Sequence, residues 1–190
     1  MKAIGSFLVV VMLAAGLAGL GYARWTRAIA NADAALAEDH LEVALAGYTA
    51  GAAHFDRVPA ARQFFASEYA RVINNELWIL YRLGRFDDVV DLAERSPDAA
   101  SPHFWSACSF YEKALVEEKP DQRLGWLTRA EEEFHRAAEA SPDDWDTKYN
   151  FELATRLASE MRKQPKAAPK QLMQLLRPPP AGAKTPKRVG

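Results

Sequence analysis

The chain has 190 residues, and a long uncharged run near its start leaves that segment few ways to fold. The run covers residues 3–23 and is flanked by Lys2, Arg24 and Arg27. About 20 apolar helical residues cross the hydrocarbon core of a bilayer, whereas the apolar part of a cleaved secretory signal has about 7 to 15. We therefore expect residues 1–23 to form a signal anchor, a transmembrane helix that stays attached.

The sequence does not decide whether this segment is cleaved or which way it is oriented in the membrane. Gly21, Tyr22 and Ala23 place small residues where a signal peptidase would cut, so a cleaved signal is the alternative. Lys2 balances Arg24 and Arg27, and charge by itself does not decide the orientation. The basic start, apolar run and small-residue exit together resemble an export signal. They favour a single-pass inner-membrane protein with the bulk of the chain in the periplasm.

The sequence after the apolar run, from residue 24 to about residue 160, has a helical pattern nearly throughout. Apolar residues recur at steps of three and four, and strand-like alternation is absent. Turn-forming residues divide the pattern into seven or eight amphipathic segments, each of which must bury its apolar stripe on a neighbour. We predict an all-α domain over residues 24–160. The expected interruptions are residues 38–39, 54–59, 84–85, 96–102, 119–121 and 141–144.

One spacing in this domain indicates a class of helical protein. Ala130, Phe134, Ala137 and Pro142 follow one another at steps of four, three and five. A tetratricopeptide repeat places a small residue, an aromatic residue and a helix-ending proline in this way, because two antiparallel helices approach closely at the alanine. The pattern predicts a degenerate tetratricopeptide-like hairpin array, with a generic antiparallel bundle as the alternative. Weaker echoes lie at Leu41, Ala44, Tyr48 and Gly51, and at Gly84 with Phe86.

A candidate partner-binding face lies on one of the predicted helices. In repeat proteins the first helix of each pair lines a concave binding surface. The second such helix combines a guanidinium fork, amides and aromatic rings, a set suited to gripping a carboxylate or an extended peptide. A solvated helix face is the alternative for each residue. The candidates are Arg71, Asn74, Asn75, Trp78, Tyr81 and Arg82.

The sequence contains no recognisable residue pattern that carries catalysis or binds a metal. The four histidines lie on separate segments without metal-ligand spacing, and there is no phosphate-binding loop or nucleophile elbow. Cys108 cannot form an intramolecular disulfide and is expected to be a small buried residue. The acids around Asp144 are expected to cap a helix, since they lack the spacing of a calcium loop. We expect no enzyme activity, metal, cofactor or small-molecule substrate.

The last 30 residues, 161–190, differ in composition from the rest. They contain eight basic residues, six prolines and no acid, so they cannot build a core and predict a disordered tail. Subtracting these eight from 24 basic residues leaves 16 against 25 acids, so the first 160 residues carry about −9. The tail could contact its own acidic domain, anionic lipids or an acidic partner. The acidic domain argues against nucleic-acid binding.

The run SPDDWDTKYNFELATRL, taken with the membrane segment and irregular hairpins, resembles the MxaK family of methanol-oxidation accessory proteins. It is also similar to the small repeat proteins found with MoxR-type ATPases and von Willebrand A-domain proteins. The most specific part is residues 144–154, and from it we add Trp145, Tyr149 and Asn150 to the candidate partner-binding residues. The resemblance implies a periplasm-facing scaffold that helps methanol dehydrogenase to mature, together with an A-domain protein. A general envelope scaffold for another complex is the alternative.

Overall fold

The computed structural model describes residues 2–97, 99 and 101–163, and within these ranges the chain is helical and has no strand. The prediction of an all-α protein is confirmed. Most of the predicted tail, residues 164–190, lies outside the described residues. The helices are α1 (Lys2–Ala37), α2 (Leu41–Arg57), α3 (Pro59–Phe64), α4 (Ala66–Arg82), α5 (Phe86–Arg95), α6 (Pro102–Val116), α7 (Pro120–Ala140) and α8 (Trp145–Lys163).

The helix ends agree closely with the predicted interruptions. Gly84 has a φ of 72°, and the Arg85 N–H donates to the Leu80 carbonyl at 2.9 Å, which is how helices commonly end at a left-handed residue. Asp39 ends α1 in the same left-handed conformation, with a φ of 58°. Two details differ from the expectation. Helix α2 continues to Arg57, so only Val58 interrupts the helices there, and an unpredicted break at Phe65 separates the short helix α3 from α4.

Helix α1 joins an exposed apolar segment to a packed one without interruption. From Ser6 onward it is long and apolar enough to span a membrane, and its large side chains from Phe7 to Leu20 are exposed. Beginning at Trp25, one stripe of the same helix is buried, including Ile29 and Ala32. The 36 residues of α1 extend about 54 Å at 1.5 Å per residue. The apolar segment and the domain are therefore joined by helix and not by a flexible linker.

The chain divides into two compact units, and the first ends at Trp105. In this first unit α2 packs antiparallel to α1. The ring of Trp25 on α1 meets that of Phe55 on α2 with centroids 4.7 Å apart, and Asp33, later on α1, meets Tyr48, earlier on α2. The two helices therefore run in opposite directions. Helix α4 packs on α2, and α5 on α4. Their buried apolar side chains form one continuous core.

The second unit begins at Ser106, within α6. Helices α7 and α8 pack antiparallel, since Arg162 near the end of α8 donates to Glu131 at 2.8 Å while Phe151, earlier in α8, lies against His135. A buried stripe of α7 follows the helical period. It consists of Arg123, Leu127, Ala130, Phe134 and Ala137. Leu127 joins Ala114 of α6 and Leu157 of α8 in the core of this unit.

Gly47 lies at a close contact between α1 and α2, a position that the sequence pattern did not single out. A Cβ added at Gly47 would lie 2.8 Å from the Cβ of Ala32. A Cβ added at Gly125, in α7, would meet nothing within 4 Å. The absence of a side chain is therefore required at Gly47 for packing, and Gly125 has no such requirement.

We expect Gly47→Ala and Gly125→Ala to change stability in opposite directions. The first should lower the free energy of unfolding by about 1 kcal/mol, because the α1–α2 pair must open to admit the methyl group. The second should raise it by about 0.5–1 kcal/mol, because alanine loses less backbone entropy in a helix than glycine. Chemical denaturation in detergent would measure both. A stabilised Gly47→Ala would show that the helices are not in close contact there.

Candidate partner-binding surface

Arg71 of α4 forms two ion pairs within the first unit. Its Nη1 lies 2.8 Å from Asp33 Oδ1 of α1, and its Nη2 lies 2.6 Å from Glu68 Oε1, three residues earlier on its own helix. These hydrogen bonds raise the pKa of the guanidinium, which stays charged. Both terminal nitrogens of the Arg71 guanidinium are thus paired within the chain. Arg71 therefore ties α4 to α1.

Tyr48 and Asn75 complete this polar network. The fully buried Tyr48 hydroxyl donates to Asp33 and accepts from Asn75 Nδ2 at 2.9 Å. Burial and the bond to Asp33 raise the pKa of Tyr48 to about 12. Burial opposes ionisation of Asp33, but the hydrogen bonds from Arg71 and Tyr48 outweigh it and lower the pKa of the carboxyl. Asp33 therefore binds groups of both α2 and α4.

The lowered pKa of Asp33 predicts that its contribution to stability depends on pH. A carboxyl with a pKa below its ordinary 3.8 stabilises the fold above that pH, and the stabilisation is lost as pH falls through the lower folded value. Asp33→Asn should therefore lower the melting temperature at pH 7, with a gap from the parent that narrows as the pH falls below 3.8. Asp91→Asn, at an exposed site on α5, is the control. A gap that does not change between pH 7 and the acidic range would exclude the charge as the cause.

The other candidates on α4 also have partners within the first unit. Asn74 Oδ1 accepts from the Trp105 indole N–H at 2.9 Å, and the Tyr81 ring lies 5.7 Å from that of Trp105. The Arg82 guanidinium carbon lies 5.0 Å from the centre of the Trp78 ring. Arg82 is exposed, and its Nη2 lies 3.8 Å from Asp39 Oδ1. The six α4 candidates thus fall into three groups with different neighbours, and two of these groups hold α4 to other helices.

Helix α8 presents two large aromatic side chains to solvent. Trp145 is 78% exposed and Tyr149, one turn later, is 66% exposed. The Lys148 ammonium lies 5.2 Å from the centre of the Trp145 ring, a cation–π contact. The opposite side of the helix is buried at Thr147 and Ala154. We call Trp145 and Tyr149 the α8 aromatic face.

The start of α8 is fixed by Asp144, as expected for a capping acid. Asp144 Oδ1 accepts from the Asp146 backbone N–H at 3.1 Å, and Oδ2 accepts from the Thr147 hydroxyl at 2.6 Å. The bond from Thr147 is the largest cause that lowers the pKa of Asp144. Asn150 donates to the Asp146 carbonyl at 2.8 Å, so this candidate supports the helix backbone. Asp144 therefore helps to hold the α8 aromatic face in a defined orientation.

Several buried polar groups were not identified from the sequence. Glu76 is buried with Thr49 as its hydrogen-bond donor, and burial raises the pKa of its carboxyl. Arg123 is buried and donates from Nε to the Glu117 carbonyl at 2.7 Å. Burial raises the pKa of the Cys108 thiol to about 12, which is unfavourable for a nucleophile. Arg123 therefore satisfies a carbonyl at the end of α6, and Cys108 is poorly suited to react.

Neither a metal site nor a comparison with known proteins assigns a function to this chain. Within the part of the chain that the structure describes, no group of three or more His, Cys, Asp or Glu side chains could hold a metal ion. No family model, no curated protein and no solved structure matches this chain. The α8 aromatic face is therefore the candidate site that its own geometry supports best.

Proposed function

We propose that this protein is a membrane-anchored scaffold that binds protein partners through the α8 aromatic face. The exposure of Trp145 and Tyr149 carries this proposal. Tryptophan and tyrosine are enriched among the residues that contribute most to binding energy at protein interfaces. Neighbouring exposed apolar groups on a protein surface often mark a site of protein interaction. The partner we expect offers an apolar groove that takes the two rings.

The geometry of α4 changes which candidates we assign to partner binding. Arg71, Asn74 and Asn75 use their polar groups within the first unit, so replacing them would loosen the fold along with any contact. Arg82 and Trp78 are better candidates for a second contact, because Arg82 is exposed and lies against the Trp78 ring. We rank this pair below the α8 aromatic face. Asn150 acts through the helix backbone that carries the face.

The proposed architecture is a degenerate tetratricopeptide-like array with α1 as its membrane anchor. The buried positions Ala130, Phe134 and Ala137 support this interpretation of α7, since these are the residues whose spacing suggested the repeat. The length and apolar character of α1 support the anchor. For orientation we keep the periplasmic side, which rests on the export-signal character of the first 23 residues. The proposal assigns contacts to this chain and no reaction.

The proposed partners are subunits of methanol dehydrogenase and a von Willebrand A-domain protein. This step rests on the resemblance of residues 144–154 to the MxaK family, and the same residues include the α8 aromatic face. A scaffold of this kind would help the dehydrogenase to mature in the periplasm. The alternative is an envelope scaffold that serves another complex, such as a MoxR and A-domain system.

A deletion strain with matched complements tests this function. Deletion should lower methanol-dependent activity while the dehydrogenase polypeptides remain present, because the defect lies in assembly. The double variant Trp145→Ala and Tyr149→Ala should fail to restore activity. Glu152→Ala with Arg156→Ala, which removes two exposed side chains at the same spacing on α8, should restore it.

The outcomes separate the two scaffold hypotheses. Full methanol-dependent activity in the deletion strain would contradict the role in methanol oxidation and leave the general envelope scaffold. Crosslinking in native membranes would then identify the other complex. Equal restoration by both double variants would show that the α8 aromatic face is not the contact. The variants should be compared at equal protein levels, measured by immunoblotting.

A further inference from the structure

A cavity of about 430 Å³ lies in the first unit, beside the point where the apolar run of α1 ends. Its walls come from α1, from the last turn of α2, and from α3 with the residue that follows it. The volume falls within the range of small-molecule pockets in proteins. The residues that matter here are Ala18, Gly21, Trp25, Phe55, Ala61 and Phe65.

The position of the cavity along α1 relates it to a bilayer. At 1.5 Å per residue the uncharged run of residues 3–23 extends about 31 Å, close to the thickness of a hydrocarbon core. Ala18 and Gly21 belong to the last part of this run, and Trp25 follows its end. If α1 spans the membrane as proposed above, the cavity reaches from the outer part of the acyl-chain region to the headgroups. Bilayer lipids can then enter it from the side.

The side chains around the cavity are of the kinds found at the interface between membrane and water. The rings of Tyr22 and Trp25 lie 5.7 Å and 5.4 Å from that of Phe65, so an aromatic cluster surrounds the end of the apolar run. The neighbouring Phe64, at the end of α3, is 83% exposed, and Val58 before α3 is 54% exposed. Aromatic residues are enriched at the interface between membrane and water. Contact with the bilayer would bury these otherwise exposed groups.

The charge near the cavity favours an anionic headgroup. Residues 24–27 and 54–62 contain four arginines and one aspartate, a balance of +4 − 1 = +3 with His54 neutral. Arg57 lines the cavity, is exposed, and makes no ion pair with any described residue. A guanidinium binds phosphate well because two of its N–H groups match two phosphate oxygens. Arg57 is therefore the group best placed to bind a lipid phosphate.

Trp25 forms part of the apolar wall of the cavity. Its side chain lines the cavity and is 8% exposed, and its ring meets that of Phe55 edge-on with centroids 4.7 Å apart. An acyl chain in the cavity would therefore contact aromatic carbon on this side.

We propose that this cavity binds one anionic phospholipid of the surrounding bilayer. An acyl chain lies between α1 and α3 against Gly21 and Ala61, and the phosphate contacts Arg57. The bound lipid seals the junction at which the membrane segment of α1 becomes part of the folded domain. The inference rests on the anchored α1 of the proposed function, and it is independent of which protein partner the scaffold binds.

The test is to measure the lipid that the full chain retains after extraction in a mild detergent. Native mass spectrometry of the parent, supplied with phosphatidylglycerol or phosphatidylcholine, should show one bound phospholipid and a preference for phosphatidylglycerol. Gly21→Leu should abolish retention, because the new side chain fills the cavity from α1, where an added Cβ meets nothing within 4 Å. Gly19→Leu is the matched control, with the same free space and no part in the cavity wall, and it should retain lipid.

Two further variants test the opposite wall and the headgroup. Ala61→Phe should lose the lipid while Ala60→Phe, exposed and next to it on α3, keeps it. Arg57→Gln should reduce the preference for phosphatidylglycerol about tenfold, the effect of losing one charge-assisted hydrogen bond. Arg156→Gln, exposed on α8, should leave the preference unchanged.

Three results would overturn the proposal. They are equal lipid retention by Gly21→Leu and Gly19→Leu, equal binding of the two lipids by the parent, and a membrane-inserted parent that retains no phospholipid. The last result would leave the anchor of the proposed function in place. Loss of the protein from membranes would instead contradict the anchor. Circular dichroism melts of the four filling and control variants would show that each is folded.

Discussion

Washing membranes with alkaline carbonate should leave the full chain in the pellet, with residue 1 or 2 as its amino terminus. The uncharged run of residues 3–23 is long enough to cross a hydrocarbon core as a helix, and its large side chains are exposed in the structure. Carbonate removes proteins held by charge or by protein contacts but does not extract a spanning helix. Fractionation followed by amino-terminal sequencing would measure both properties.

A chain that lacks residues 3–23 is the control for this experiment, and it should move entirely to the supernatant. The expected difference is all or none, because about 20 buried apolar residues hold a helix in the bilayer far more strongly than surface contacts do. A soluble parent whose amino terminus lies near Arg24 would contradict the anchor and establish the cleaved signal instead.

Ala130→Trp should cause the largest loss of stability among the substitutions considered, about 3 kcal/mol or more. Ala130 is completely buried in the middle of the apolar stripe of α7, in the unit where α7 packs along α8. An indole at that position must separate helices or force neighbouring side chains out of their rotamers. Thermal melts followed by circular dichroism should show a large drop in melting temperature.

Glu132→Trp is the matched control, two residues away on the exposed side of α7. It adds the same ring to solvent and should change the free energy of unfolding by no more than about 0.5 kcal/mol. Equal melting of the two variants would show that the register assigned to α7 is wrong. The comparison also tests the repeat interpretation, because that interpretation places a small residue at Ala130 for close helix contact.

The helix boundaries could be predicted because their causes are local. Gly84 takes a left-handed conformation that favours glycine, and Pro102 and Pro120 begin helices where a missing N–H costs nothing. The apolar period likewise indicated which side of each helix is buried, as Ala130 and Phe134 show. Helix α3 was missed because six residues between Val58 and Phe65 are too few to show a period.

The candidate site was predictable only in part, because composition does not reveal which polar groups find partners within the fold. Arg71 and Asn75 on α4 look like free binding groups in sequence, yet Asp33 and Tyr48 from two other helices take their hydrogen bonds. The sequence places Trp145 in the candidate set only by resemblance, whereas the structure shows that its side chain is exposed. The helical spacing of a tryptophan in the sequence does not show whether its side chain is buried or exposed.

The sequence by itself determined the all-α class, the membrane-length run and nearly all of the helix ends, since these depend on hydrophobicity and backbone preferences within a few residues. Only the tertiary structure decided that an added Cβ at Gly47 would lie 2.8 Å from Ala32, closer than the 3.2 Å from Ile29 that it would have at Gly51. It also decided that Arg57, Ala61 and Trp25 meet around one cavity. Such contacts join residues that lie tens of positions apart, and their geometry depends on how helices pack rather than on the local pattern that forms each one.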